Sequence, residues 1–149
     1  LMYRKDTRLC GEDKYLIIVD DFIGSGHKLS RKLKYAKEHS VCKKIYCVCP
    51  VGMNAGIRYL EDNFPDIGFF VSKRLEKAVS DYYSDADDRK GTLQDLTNSY
   101  RLKKRIHYLG VGEAEALFSY KNRNIPNNGF PIFLGENDNN FEKFFRRRK

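Results

Sequence analysis

Residues Tyr15 to Leu29 read YLIIVDDFIGSGHKL, and the fold turns on them. Tyr15 to Val19 form an unbroken apolar run, which is how a strand buried on both faces of a parallel sheet reads. Asp20 and Asp21 follow at once, so they fall at the carboxyl edge of that sheet, where open α/β folds bind their ligands. Neighbouring carboxylates raise one another's pKa unless hydroxyls, cations or backbone donors satisfy them, so the pair suggests a site. The plainer alternative is that one carboxylate caps the following turn. Gly24, Ser25 and Gly26 then permit close backbone approach, and the loop runs straight into a helix at Lys28. Backbone N–H groups at a helix start, reinforced by the helix dipole, suit a phosphate.

Downstream, Leu29, Leu33 and Ala36 recur at helical spacing over Lys28 to His39, with basic residues on the opposite face. A second apolar run, Lys44 to Val51, reads as another buried strand. Ile57, Leu60 and Phe64 predict a helix that stops before Pro65, and Ile67 to Val71 a third strand. This β-α-β-α-β order predicts a parallel sheet with right-handed crossovers and helices on its faces, a three-layer α/β domain. Beyond Ser72 the pattern becomes irregular and α-rich. Asp81 to Gly91 is acidic and turn-rich, which predicts a surface loop. Thr92 and Asp95 have capping-box spacing and open a helix to about Ile106. Glu113 to Tyr120 reads as a short helix, Phe130 to Leu134 as an edge strand carrying Pro131, and the FEKFF tail as a last helical turn.

The length of 149 residues suits one domain, which would bury about 70% of the surface its unfolded chain exposes. No apolar run approaches the ~20 residues that span a bilayer, and LMYRKDTRL lacks a signal-peptide core, so a cytoplasmic setting is the default expectation. Cys10, Cys42, Cys47 and Cys49 lack zinc-site spacing and read as reduced, half-buried small apolar residues. The net charge of +8 favours an anionic partner: a phosphorylated ligand, a nucleic acid or an acidic protein. Arg101 to Arg105 and Arg146 to Lys149 are the basic stretches that would meet one. Of His27, His39 and His107, only His27 lies in the candidate site, and no Ser-His-Asp, HExxH or Walker-type pattern is present.

The Tyr15 to Leu29 segment resembles the phosphoribosyl pyrophosphate motif of type I phosphoribosyltransferases: a hydrophobic strand, two acidic residues, two more residues and a Thr-Thr-Gly-Gly-Thr-like loop. The resemblance implies that Asp20 and Asp21 bind the ribose 2′- and 3′-hydroxyls and act in catalysis. It also implies that the amides of Ile23, Gly24, Ser25, Gly26 and His27, with the Ser25 hydroxyl, hold the 5′-phosphate. Gly24, His27 and Lys28 depart from the usual loop, and Lys28 adds a direct phosphate cation. Magnesium is expected to arrive through the pyrophosphate, without direct protein ligands. A second stretch, NIPNNGFPIF over Asn124 to Phe133, resembles a segment of phosphoribosyltransferase-like proteins of prokaryotic conflict and antiphage systems, including retron-linked effectors. There Asn127 and Asn128 either order a turn near the ligand or simply build the loop. A two-component receiver also opens with a strand and paired aspartates, but the later strands here end at Cys49-Pro50-Val51 and at Ser72 and lack its phosphoacceptor Asp.

Fourteen residues precede the motif strand, enough at ~3.3 Å per residue for one further strand, so a single phosphoribosyltransferase-like domain over 1–149 would lack its N-terminal part. Two function classes follow. In one, the chain binds phosphoribosyl pyrophosphate or a related ribose phosphate as part of an enzyme acting at ribose C1′, and the resemblance implies an antiphage effector. In the other, it is a nucleotide-sensing or partner-docking module without chemistry, working with a protein partner or as an oligomer.

Overall fold

The computed structural model describes residues 12–100, 107–119 and 128–134, and the chain forms two units, Leu1–Arg74 and Leu75–Lys149. In the first unit β1 (Tyr15–Val19) is followed by a two-residue β2 (Phe22–Ile23) and by α1 (His27–His39). Then come β3 (Lys44–Met53), α2 (Asn54–Asn63) and β4 (Gly68–Leu75). β1 and β2 both pair with β3 in parallel, Tyr15 opposite Lys44 and Phe22 opposite Val51, and β4 also pairs β3. The offset is the same on both sides of Asp20 and Asp21. β1 and β2 are therefore one line of chain along one edge of β3, interrupted at the two aspartates. Asp20 still donates its N–H to the Val48 carbonyl at 3.2 Å. The next β3 donor in that register would come from residue 50, a proline without an N–H, and there the ladder breaks.

The parallel α/β architecture predicted from the sequence is present: β1 has the expected bounds, and those of the other strands and helices differ by at most four residues. The burial of β1 is not as predicted: Ile17 is 60% exposed and Val19 69%. Leu16 and Ile18 instead join Ile45, Cys47 and Cys49 of β3, Leu29, Leu33 and Ala36 of α1, and Ile57 and Leu60 of α2 in one core. The reason is topological. The steps β1 to β3 and β3 to β4 run the same way across the sheet, and crossovers of one hand then lay both helices on one face. The alternate residues Tyr15, Tyr46 and Phe70 form an aromatic row on the opposite face, with ring centroids 5.9 and 5.8 Å apart.

The second unit departs further from expectation. α3 spans Ala86–Ser99, so half of the predicted acidic loop is helical. Asp87 and Asp88 sit in its first turn, where negative charge complements the dipole, and Asp85 pairs with Arg89 at 2.8 Å. Thr92, predicted as a cap, lies inside the helix and bonds back to the Asp88 carbonyl at 3.1 Å. In place of a helix from Glu113, a single 3-10 turn covers Val111–Glu113, because Gly112, Glu113 and Glu115 all have positive φ. The segment predicted as an edge strand forms α4 (Pro131–Leu134), with Pro131 at the first helical position, where a missing N–H costs nothing. Val79, Leu109 and Phe130 form the small core of this unit. The FEKFF tail, both basic stretches, Cys10 and Asn127 lie outside the described residues.

Candidate functional site

At the carboxyl edge of the first unit the chain leaves β1, passes Asp20 and Asp21, touches β3 again through β2, and turns at Gly24 to Gly26 into α1. Gly26 takes the N-cap position with φ 82°, a left-handed conformation that favours glycine. No side chain caps α1 and no acidic residue lies in its first turn, which carries Lys28 instead. A cation there opposes the helix dipole, so the sequence forgoes stability at this terminus in a way that suits an external anion. The Gly26 carbonyl accepts the Ser30 N–H at 2.8 Å, which closes the first turn.

Two residues of α2 fix the loop from behind. A Cβ on Gly56 would lie 1.9 Å from the Gly24 carbonyl oxygen and 3.0 Å from the Gly26 nitrogen, so the α2 backbone rests directly on the loop. Tyr59 stacks on the His27 ring, with centroids 4.7 Å apart, and His27 Nδ1 lies 3.2 Å from Ser25 Oγ. Neither Gly56 nor Tyr59 stood out in the sequence, since what marks them is a tertiary contact between α2 and the loop that enters α1.

The predicted site residues are brought together unevenly. Gly24, Ser25, Gly26, His27 and Lys28 share the loop and the helix start; His27 and Lys28 are exposed and Gly26 is buried. Ile23 belongs to β2, and its side chain is in the core at 1% exposure. Asp20 is partly buried and Lys32 Nζ of α1 lies 3.3 Å from its Oδ2, whereas Asp21 is exposed. Lys32 is a further residue the sequence did not flag. Asn128 lies in the second unit, where its Nδ2 donates to the Val111 carbonyl at 2.8 Å and its carbonyl accepts the Ala116 N–H at 3.1 Å.

Beneath the aspartates, burial pushes the Cys47 thiol up to about 12, with the charges of Cys49 and Asp20 adding to it. Burial raises Cys49 as well. These thiols are inert packing groups, and Cys42, Cys47 and Cys49 are free of disulfides. Among the described residues no group of three or more His, Cys, Asp or Glu side chains gathers as a metal site, and no helix is long and apolar enough to cross a membrane.

Of the solved structures, the AQ2163 protein from Aquifex aeolicus is similar at 22% identity with a TM-score of 0.43, over 50% of this chain and 35% of that one. The chain thus spans about a third of the length of that protein. No curated protein matches the sequence. The PRTase-CE family model matches residues 2–147, nearly the whole chain. With the strand, acidic pair and uncapped glycine loop in place at the carboxyl edge of a parallel sheet, the chain belongs to the PRTase-CE family and is phosphoribosyltransferase-like.

Proposed function

We propose that the loop from Asp20 to Lys28 binds phosphoribosyl pyrophosphate or a closely related ribose phosphate. The observation that carries this reading is the start of α1: a left-handed glycine, no capping side chain and a lysine in the first turn, directly after two carboxylates. The backbone N–H groups of that turn and Lys28 hold the 5′-phosphate, and a carboxylate accepts hydrogen bonds from the ribose hydroxyls. Magnesium enters on the pyrophosphate oxygens, which suits a site whose carboxylates are spent on Lys32 and the sugar. In an active enzyme the bond from C1′ to the pyrophosphate oxygen breaks while a nucleophile, or water in a cleavage reaction, bonds to C1′. The protein's part is to fix the sugar and neutralise charge. The resemblance of Asn124 to Phe133 extends the proposal to an effector of a prokaryotic conflict system, acting in the cytoplasm.

A non-catalytic sensor is the second reading. It is favoured by the engagement of Asp20 with Lys32 and of His27 with Ser25 and Tyr59, contacts that hold geometry rather than ready a base. Calorimetric titration with magnesium phosphoribosyl pyrophosphate tests the binding site: the parent should bind, and Lys28→Met should weaken binding. A parent that fails to bind sinks the proposal. Pyrophosphate release from the binding-competent protein then separates enzyme from sensor.

A further inference from the structure

The second unit contains a cavity of about 410 Å³, a volume typical of small-molecule sites. Of its lining, Val79 and Phe130 are buried, Leu93 and Phe133 half-buried, and Tyr83 and Leu117 exposed, so it deepens from an open mouth to the small core of the unit. Its walls are pinned by a buried carboxylate. Glu115 accepts the N–H groups of Val79 at 2.9 Å and Ser80 at 2.7 Å, and its own carbonyl accepts the Ala78 N–H at 3.1 Å. A buried carboxylate is unfavourable unless hydrogen-bonded, and Glu115 also has φ 51°, where residues other than glycine are uncommon. The result is that Ala78 and Val79 of one wall are fastened to the segment that carries Leu117, which keeps the cavity's shape. α3 closes another side with Arg89, Thr92 and Leu93. None of its 14 residues is fully buried, so the cavity lies where the packing partner of that helix would be.

Arg89 decides which ligand fits. Its Nε donates to Asp85 at 2.8 Å, and its guanidinium carbon lies 4.0 Å from the centroid of the Tyr83 ring. These two contacts orient the guanidinium and leave both terminal amino groups unpaired among the described residues, beside an otherwise apolar cavity. A guanidinium with a free edge takes a carboxylate through two parallel hydrogen bonds. We infer that the cavity is a binding site for a small apolar carboxylate, whose ring or short chain lies among Leu93, Phe130 and Phe133 and whose carboxyl group meets Arg89. The site lies wholly within the second unit and is independent of the ribose-phosphate reading.

Calorimetric titration of the full chain with 2-naphthoate and with octanoate, each beside its neutral amide, tests the inference. The acids should bind at one per chain, and the amides at least about tenfold more weakly, the loss of a charge-assisted contact. Binding of one acid alone supports the site and shows the shape it accepts. Arg89→Met keeps the side-chain stem and should erase the preference for acid over amide, while Arg89→Lys, which lacks the fork, should keep only part of it. Thr92→Phe, made on an exposed position of α3, puts a ring into the cavity and should abolish binding at a melting temperature no lower than that of the parent. Both acids failing to bind the parent would overturn the inference. So would amides that bind as well as the acids, an Arg89→Met protein with the parental preference, or a Thr92→Phe protein with parental affinity.

Discussion

Alanine at Gly56 sets two effects of opposite sign against each other. Gly56 is the third residue of α2, and in a helix alanine is favoured over glycine by about 1 kcal/mol, so propensity alone predicts a more stable protein. The packing predicts the reverse. The new Cβ would stand 1.9 Å from the Gly24 carbonyl oxygen and 2.9 Å from its carbon, where an ordinary contact needs about 3.5 Å. Both obstacles are backbone, so no rotamer change relieves them, and α2 or the loop must move. Overpacking of this kind costs roughly 1–3 kcal/mol, and a backbone obstacle belongs at the upper end. After the propensity gain, the net loss should be about 2 kcal/mol. The displaced loop should also bind magnesium phosphoribosyl pyrophosphate at least about tenfold less well, since one ångström of misplacement at such a site carries a large penalty. Urea unfolding gives the first number and calorimetry the second. A Gly56→Ala protein as stable as the parent, with affinity within about twofold, would refute the buttress.

In the second unit Glu115 is fully buried and accepts the N–H groups of Val79 at 2.9 Å and Ser80 at 2.7 Å and the Ser80 hydroxyl at 2.5 Å. Burial pushes its pKa up, but the bonds from Ser80 and Val79 outweigh it and hold the carboxyl below its ordinary 4.5. Its contribution is therefore complete above pH 4.5 and disappears as pH falls through the lower folded value, so melting temperature should drop in that acid window. Glu115→Gln should cost about 2 kcal/mol near neutral pH and flatten that drop; a variant with the parental acid profile would count against it. Iodoacetamide at pH 8 should label Cys42 in the native protein and reach Cys47 and Cys49 only after unfolding, as peptide mass spectrometry can follow; native labelling of Cys47 at the Cys42 rate would contradict its burial. Ile17→Thr, on the open face, should shift stability by no more than about 0.5 kcal/mol, whereas Leu33→Ala should cost about 3 kcal/mol in the same urea titration. Equal losses would show the two faces to be equally covered.

The sequence made the order of elements in the first unit legible because apolar runs and helical periodicity are local. Tyr15 to Val19 declared a strand, and Leu29, Leu33 and Ala36 declared the inner face of α1. It could not say which side of β1 is covered, since an apolar residue reads the same on either face and the answer lies in the direction of successive crossovers. The start of α3 was legible in principle: Asp85, Asp87 and Asp88 carry helix-start chemistry, but they sit in a stretch whose composition resembles a turn. Pro131 misled for a similar reason, being unwelcome in a strand and welcome at a helix start. Of the site, the carboxylates and glycines were visible in one short motif. Lys32 and Gly56 were not, because each matters through a contact made across the fold.

The shared register of β1 and β2 bears on how fast a ligand binds. Because β2 rejoins β3 in the register that β1 left, the chain is tethered on both sides of Asp20 and Asp21. Fixing a residue's backbone costs about 1–2 kcal/mol of entropy, and at these positions that ordering is complete once the protein has folded. A ligand arriving at such a site waits for no rearrangement, so its capture should be limited by diffusion. With a net charge of +8, the approach of any anionic ligand would be steered, and added salt should slow its association more than it hastens its departure.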